Sequence, residues 1–212
     1  MKMKRLENQF DKITFERKSI RDYDETFKLS REDILQLLDE AVTAPSSVNL
    51  QPWRFVVVDT PEGKDKLKPL IRFNTNQNET SAAMILIFGD TQCYEYGPEI
   101  YDKAVAEGKM PKEVRDKQLN AIIPMYQNLS REAMRDIVKI DASLVAMQFM
   151  LVARSYGLDT NPIGGFEADQ LAEAFDLDPE RYLPVMIVSI GKAKESGYQS
   201  VRLDAKRVTQ FK

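Results

Sequence analysis

Apolar residues along the chain change spacing several times, and each change marks an element. Leu6, Phe10, Ile13 and Arg17 follow helical spacing and predict an amphipathic helix at the start. Ser30, with Asp33 three residues on, has the pattern of a capping box, and Ile34, Leu37, Leu38 and Ala41 form the buried face of the helix behind it. Pro45 is expected to end that helix, because the residue before a proline is pushed out of helical geometry. The run Arg54–Asp59 predicts a buried strand, and Thr60-Pro61-Glu62 starts a short helix carrying Leu67, Leu70 and Ile71. A polar run with Asn74, Asn76, Gln77 and Asn78 reads as a loop, and Ala83–Gly89 as a second buried strand. From 97 to 130 the pattern is helical but interrupted at Gly108, Pro111 and Pro124. Ser130 caps the longest helix, 131–156, which would be about 39 Å long. Its apolar residues cover more than one side, so a core on one side and a partner subunit on the other would both be served. Gly157 is the expected stop. The stretch 157–166 reads as a loop, 167–175 as a short helix, and Tyr182–Gly191 as a third buried strand. The tail 192–212 is polar, and Arg207–Phe211 has the composition to pair as an edge strand. Three strands separated by many helical residues indicate an α+β fold with a central sheet flanked by helices.

The length, 212 residues, suits a single domain over 1–212, with a helical excursion at about 97–130 and an extended tail from 192. Composition then removes whole classes of chemistry. There is no histidine, which excludes Ser-His-Asp and Cys-His nucleophiles and all His-ligated metal sites. Cys93 is the single cysteine, so no intrachain disulfide can form and a reducing cytoplasm is the expected setting. A net charge of −3 implies no general affinity for nucleic acid. No apolar run approaches the roughly 18 residues that span a bilayer, so no membrane insertion is expected. The opening MKMKRLENQF has no apolar signal core behind its basic residues. No GxGxxG and no Walker A sequence is present. An enzyme built from these residues would therefore draw its reactivity from a bound organic cofactor.

Three polar stretches are the candidates for holding one. In Arg17–Tyr23, RKSIRDY, the cations Arg17, Lys18 and Arg21 surround Ser19, which suits a phosphate and equally suits a solvated basic turn. In Ala44–Phe55, APSSVNLQPWRF, Ser46, Ser47, Asn49 and Gln51 crowd four hydrogen-bonding side chains between a helix and a strand. In Gly157–Phe166, GLDTNPIGGF, Pro162 stiffens a turn whose two adjacent glycines allow close approach to a ligand or, in the plainer reading, a positive φ.

A helix followed by PSSxNxQPW and an apolar strand resembles the nitroreductase family of flavin enzymes. The R-x-S-x-R element ahead of it, the P-x-x-G-F element behind it and an arginine in the tail fall in the order that family shows, from Arg17 to Arg202. The resemblance implies a mostly antiparallel sheet in a domain-swapped homodimer, with FMN in two sites at the interface, NADH or NADPH as electron donor, and a small-molecule acceptor such as a nitroaromatic or quinone. It implies that Arg17, Lys18, Ser19, Arg21 and Arg202 hold the phosphate end of FMN. Pro45, Ser46, Ser47 and Asn49 would line its ribityl chain and ring, and Asn74, with Gln77 second, its pyrimidine edge. Pro162, Ile163, Gly164 and Gly165 would run along the reactive edge through backbone N–H groups. A β-branched residue at Gly165 would then be the more damaging change, on the expectation of a positive φ there, and glutamate at Gly164 the milder one. No catalytic side chain is implied, since the flavin does the chemistry. The excursion would shape acceptor choice, or be only a surface helical pair with tyrosines at its base. Two other outcomes of the same reading are a same-fold enzyme that uses reduced flavin for dehalogenation or ring cleavage, and a non-enzymatic flavin-binding protein.

Overall fold

Strand β2 (Ala83–Asp90) is buried along all eight of its residues and forms the middle of the protein. The computed structural model describes residues 3–212. β2 pairs antiparallel on one side with β1 (Trp53–Val58) and on the other with β4 (Tyr182–Gly191). β4 pairs in turn with β3 (Asp159–Ile163), giving the order β1-β2-β4-β3, antiparallel throughout. A register shift between Ile87 and Phe88 coincides with Pro184, which a regular central strand would not tolerate.

Because side chains alternate along β2, the sheet has two cores. Ile85 and Ile87 face α2 (Arg31–Ala41) and α7 (Arg131–Ser155), where Leu37, Ala142, Val145, Ala146 and Phe149 are buried. Met84, Leu86 and Phe88 face the other way, toward Leu67 of α3 (Pro61–Leu67), Ile71, Ile163 and Phe166. A third cluster joins α7 to the excursion: Leu50, Cys93, Tyr101, Leu119, Ile122 and Tyr126 pack against Met134 and Val138.

The capping signals are met. Ser30 and Asp33 bond reciprocally, Thr60 accepts from Gly63 N–H ahead of Pro61, Ser130 accepts from Ala133 N–H, and Gly157 stops α7 at φ +73°. Five readings are corrected. Helix α2 ends at Ala41, four residues before Pro45. The run after Asn74 is a helix, α4 (Thr75–Thr80), in which Gln77, Asn78 and Thr80 are buried. Two of its amides donate to backbone, Asn76 to Arg21 O at 2.7 Å and Asn78 to Lys64 O at 2.8 Å, while Asn78 Oδ1 is buried without a partner among the described residues. Half of the 157–166 loop is strand β3, where Pro162 is accommodated because the outer side of the strand is paired only by the single bridge at Thr160, two residues away. The excursion is two helices, α5 (Gly97–Ala106) and α6 (Lys112–Gln127), and Pro124 lies inside the second without ending it. Arg207–Phe211 forms no strand; Ala205–Val208 is a single helical turn exposed to solvent.

Helix α1 (Phe10–Glu16) buries only Ile13. On α7 the inner side is buried, while Ile140, Leu144 and Met147 form an exposed apolar stripe at helical spacing, Ile140 at 61% exposure.

Candidate active site

The candidate residues fall into two groups. The first lies at the β3 edge of the sheet. Arg17 caps the end of α1, and the chain beyond it runs extended beside β3: Ser19 bridges Thr160, and Ile20 N–H donates to Thr160 O at 3.1 Å. In extended backbone successive side chains alternate in direction. Lys18 and Ile20 accordingly line a surface cleft with Glu16, Arg154 and Asp159, where Lys18 Nζ donates to Ser196 O at 3.1 Å. Lys18 therefore stands apart from Arg17.

Arg17 has no such partner. Its Nη1 is buried and makes no hydrogen bond among the described residues, and the Oγ1 of Thr160, opposite Ser19, is also buried and unbonded. Burial, and after it the positive charge of Arg202, pushes the pKa of Arg17 below the usual arginine value. The charge of Arg202 thus adds to the cost of burying that of Arg17. Arg202 is exposed, and Arg21 holds its guanidinium 5.6 Å from the Tyr198 ring while Glu195 accepts its backbone N–H at 2.8 Å.

Asn74 ties the same edge together. Its amide donates to Ile71 O at 3.0 Å and to Gly165 O at 3.3 Å, and its oxygen accepts from Gln77 Nε2 at 3.1 Å. Asn74, Gln77, Pro162, Ile163, Gly164 and Gly165 are therefore brought together. Neither glycine has a positive φ, so the conformational reason for the pair fails. What remains is space: a Cβ at Gly164 would meet nothing within 4 Å, and one at Gly165 would touch only Asn74 Nδ2 at 3.5 Å.

The second group is the loop before β1. Val48, Asn49 and Gln51 all have positive φ (43°, 55° and 48°), a concentration of unfavourable backbone in non-glycine residues. Its side chains are largely engaged within the chain. Ser46 Oγ accepts from Gln51 N–H at 3.0 Å, and Asn49 Oδ1 from Gln51 Nε2 at 3.2 Å. Ser47 donates its N–H and its hydroxyl to the carboxylate of Asp141, at 2.9 and 3.2 Å. Pro45 is exposed.

One chain does not join the two groups. Trp53 is level with Leu183 through Gly89, whereas Ile163 is level with Ile187. Three strand spacings across the sheet and four residues along it put the start of β1 about 19 Å from the end of β3.

Three contributors were not anticipated. Asp141 lies on the buried face of α7, 2% exposed, and its pKa is raised by burial against the lowering effect of the Ser47 bonds. A single acid within an apolar helical stripe was the available signal. Tyr101 donates its hydroxyl to Val48 O at 2.9 Å, and Arg54 donates to Gln51 O at 2.9 Å. Arg54 is held by Asp90, which is fully buried and also takes Arg181 in a bidentate pair at 2.8 and 3.0 Å. Cys93, beneath the loop, is buried and its thiol is pushed up to about 12, which makes it unreactive. No cluster of three metal-binding side chains occurs among the described residues, and none of their helices is long and apolar enough to cross a membrane.

The antiparallel sheet thus carries a buried, unbonded arginine nitrogen at one edge and a strained polar loop at the other. The chain belongs to the nitroreductase family, whose model matches residues 15–192. It is 50% identical over 205 residues to YdgI of Bacillus subtilis (strain 168), assigned as an NAD(P)H nitroreductase, covering 97% of this chain and 98% of that one. It is 38% identical over 207 residues to a CLA biosynthesis enone reductase of Lactiplantibacillus plantarum, covering 97% and 95%. Among solved structures it resembles a protein of Exiguobacterium sibiricum, assigned as a nitroreductase and solved in complex with FMN, with a TM-score of 0.95, 51% identity, and coverage of 99% of this chain and 100% of that one.

Proposed function

We propose that the protein is a homodimeric, FMN-dependent NAD(P)H oxidoreductase that reduces a small organic acceptor. The observation that carries this is Arg17: its Nη1 is buried with no hydrogen-bond partner among the described residues, and burial together with the charge of Arg202 lowers its pKa, so an anion arriving there would be stabilised. The phosphate of FMN is that anion. Bound FMN would supply the redox chemistry, taking a hydride from the nicotinamide and delivering electrons to the acceptor.

The chain's own residues then have positioning roles. Arg17, Ser19, Arg21 and Arg202 hold the phosphate end, and Lys18 contributes backbone and long-range charge. Asn74, fixed by Gln77, addresses the pyrimidine edge. The Gly164–Gly165 backbone runs beside the reactive edge, where the absence of side chains leaves room. Pro45, Ser46, Ser47 and Asn49 reach the cofactor from the second copy of the chain, which reconciles their place at the opposite edge. Three features support that dimer: the exposed stripe of α7, the unpaired outer edge of β1, and a tail whose Tyr198, Val201, Leu203 and Phe211 are all exposed. A tail exchanged between copies could pair along β1.

Nitroaromatics and quinones are the first acceptor classes. The similarity to an enone reductase favours a second, an α,β-unsaturated ketone. The test is direct: purified protein should be yellow and carry about one FMN per chain. It should sediment as a dimer, and consume NADH or NADPH with at least one of a nitroaromatic, a quinone and an enone. Colourless protein that cannot be reconstituted with FMN would sink the reading.

A further inference from the structure

The loop before β1 does not hold its conformation unaided. Three residues with positive φ within four positions, none of them glycine, persist only where surrounding structure over-determines them. The restraints come from separate elements. From α7, Asp141 takes both the N–H and the hydroxyl of Ser47. From α5, Tyr101 donates to Val48 O. From β1, Arg54 donates to Gln51 O. Between these anchors, Val48 and Asn49 are the exposed residues. A buried carboxylate with only loop partners is an expensive way to stabilise a core, and its cost is understandable if the loop's shape matters.

We propose that Asp141 and Tyr101 are positioning residues that clamp the Ser46–Gln51 loop, so that its outward-facing residues meet the flavin of the second subunit in a fixed geometry. The inference rests on the dimeric flavoprotein reading. It gives the excursion a further role: α5 holds the loop through Tyr101 in addition to whatever it does for the acceptor.

The clamp and its consequence are measured separately. In the apoprotein, Asp141→Leu should speed amide hydrogen exchange across Ser47–Leu50 at least tenfold, with no flavin involved. In the reconstituted dimer the same variant should weaken FMN binding about tenfold or more and change the visible circular dichroism of the bound flavin. Asp141→Asn can still accept from the Ser47 N–H and donate to its hydroxyl, so it should bind FMN within about threefold of wild type. Tyr101→Phe should act in the same direction as Asp141→Leu, by about threefold to tenfold. Unchanged exchange in Asp141→Leu overturns the clamp. Faster exchange with wild-type FMN affinity and dichroism reduces Asp141 to a core residue and equally overturns the proposal. If Asp141→Leu does not fold, Tyr101→Phe decides: wild-type affinity and dichroism overturn the proposal. If the wild-type chain binds no FMN, the parent reading fails and this one falls with it, whatever the exchange data.

Discussion

Replacing Arg17 by methionine should move two quantities in opposite directions. Methionine keeps most of the apolar stem and removes the guanidinium. In the apoprotein that guanidinium is half-buried, unbonded at Nη1 and repelled by Arg202. Its folded pKa is depressed below the ordinary arginine value, and at neutral pH it is charged both folded and unfolded. The full cost of burying the charge is therefore present at pH 7 and would vanish only where arginine deprotonates. A buried unsatisfied polar group costs about 1–3 kcal/mol, and partial exposure reduces this to about 1 kcal/mol. For a chain of this size that is a rise of about 2–4 °C in the apoprotein melting temperature. With FMN the sign reverses. Losing a charge-assisted phosphate bond worth about 1.5–3 kcal/mol should raise the FMN dissociation constant about 10- to 150-fold. Flavin fluorescence titration and scanning fluorimetry of the apoprotein read the two effects. A lower apoprotein melting temperature with unchanged FMN affinity would refute the reasoning and make Arg17 a structural residue.

Three further outcomes follow from the geometry. Gly89→Ala would place a Cβ 2.7 Å from both the Cβ and the Cγ2 of Val138 on α7, so it should destabilise by about 1–3 kcal/mol in denaturant unfolding, and Val138→Ala, which removes Cγ2 but keeps Cβ, should relieve only part of that loss. Gly164→Glu should fold and bind FMN as the wild type does, since a Cβ there enters open space, whereas Gly165→Val should press on Asn74 and slow flavin reduction in stopped-flow bleaching; equal rates would place the loop away from the flavin. If nicotinamide and acceptor share one open face of the proposed flavin, steady-state kinetics should be ping-pong, with parallel double-reciprocal lines; intersecting lines would indicate a ternary complex.

Most of the framework was legible because its signals are local. The Ser30 and Ser130 caps, the Pro61 start and the Gly157 stop each depend on a few adjacent residues, and β2 announces itself by an unbroken apolar run. Strand β3 was hidden because Asn161 and Pro162 do not look like strand, and an edge partner is what makes them one. Helix α4 was hidden because its buried side is the polar set Gln77, Asn78 and Thr80, whose donors are taken up by Asn74 Oδ1, Lys64 O and Asn76 O. The site motifs could be read one at a time. That they sit on opposite edges could not, since strand order depends on the β2–β4 pairing, which joins residues about a hundred positions apart. The positive-φ reading of Gly164 and Gly165 failed because adjacent glycines have two uses, and only coordinates tell vacancy from backbone strain.

The separation of the two motif groups across the sheet has a genetic consequence. In the proposed dimer each site takes its phosphate end from one chain and its strained loop from the other. A chain carrying Arg17→Met and a chain carrying Asp141→Leu would each form homodimers whose two sites both bind FMN weakly, and at FMN concentrations between the wild-type and variant dissociation constants both would be largely without cofactor. Co-expressed, they would also form a hybrid in which both lesions fall in one site and the other site is intact. With random pairing about a quarter of all sites would be wild type, so two defective genes would restore measurable activity in trans. In the proposed dimer each protomer would be half of two enzymes, and selection on either edge of the sheet would act on a site that the same molecule does not complete.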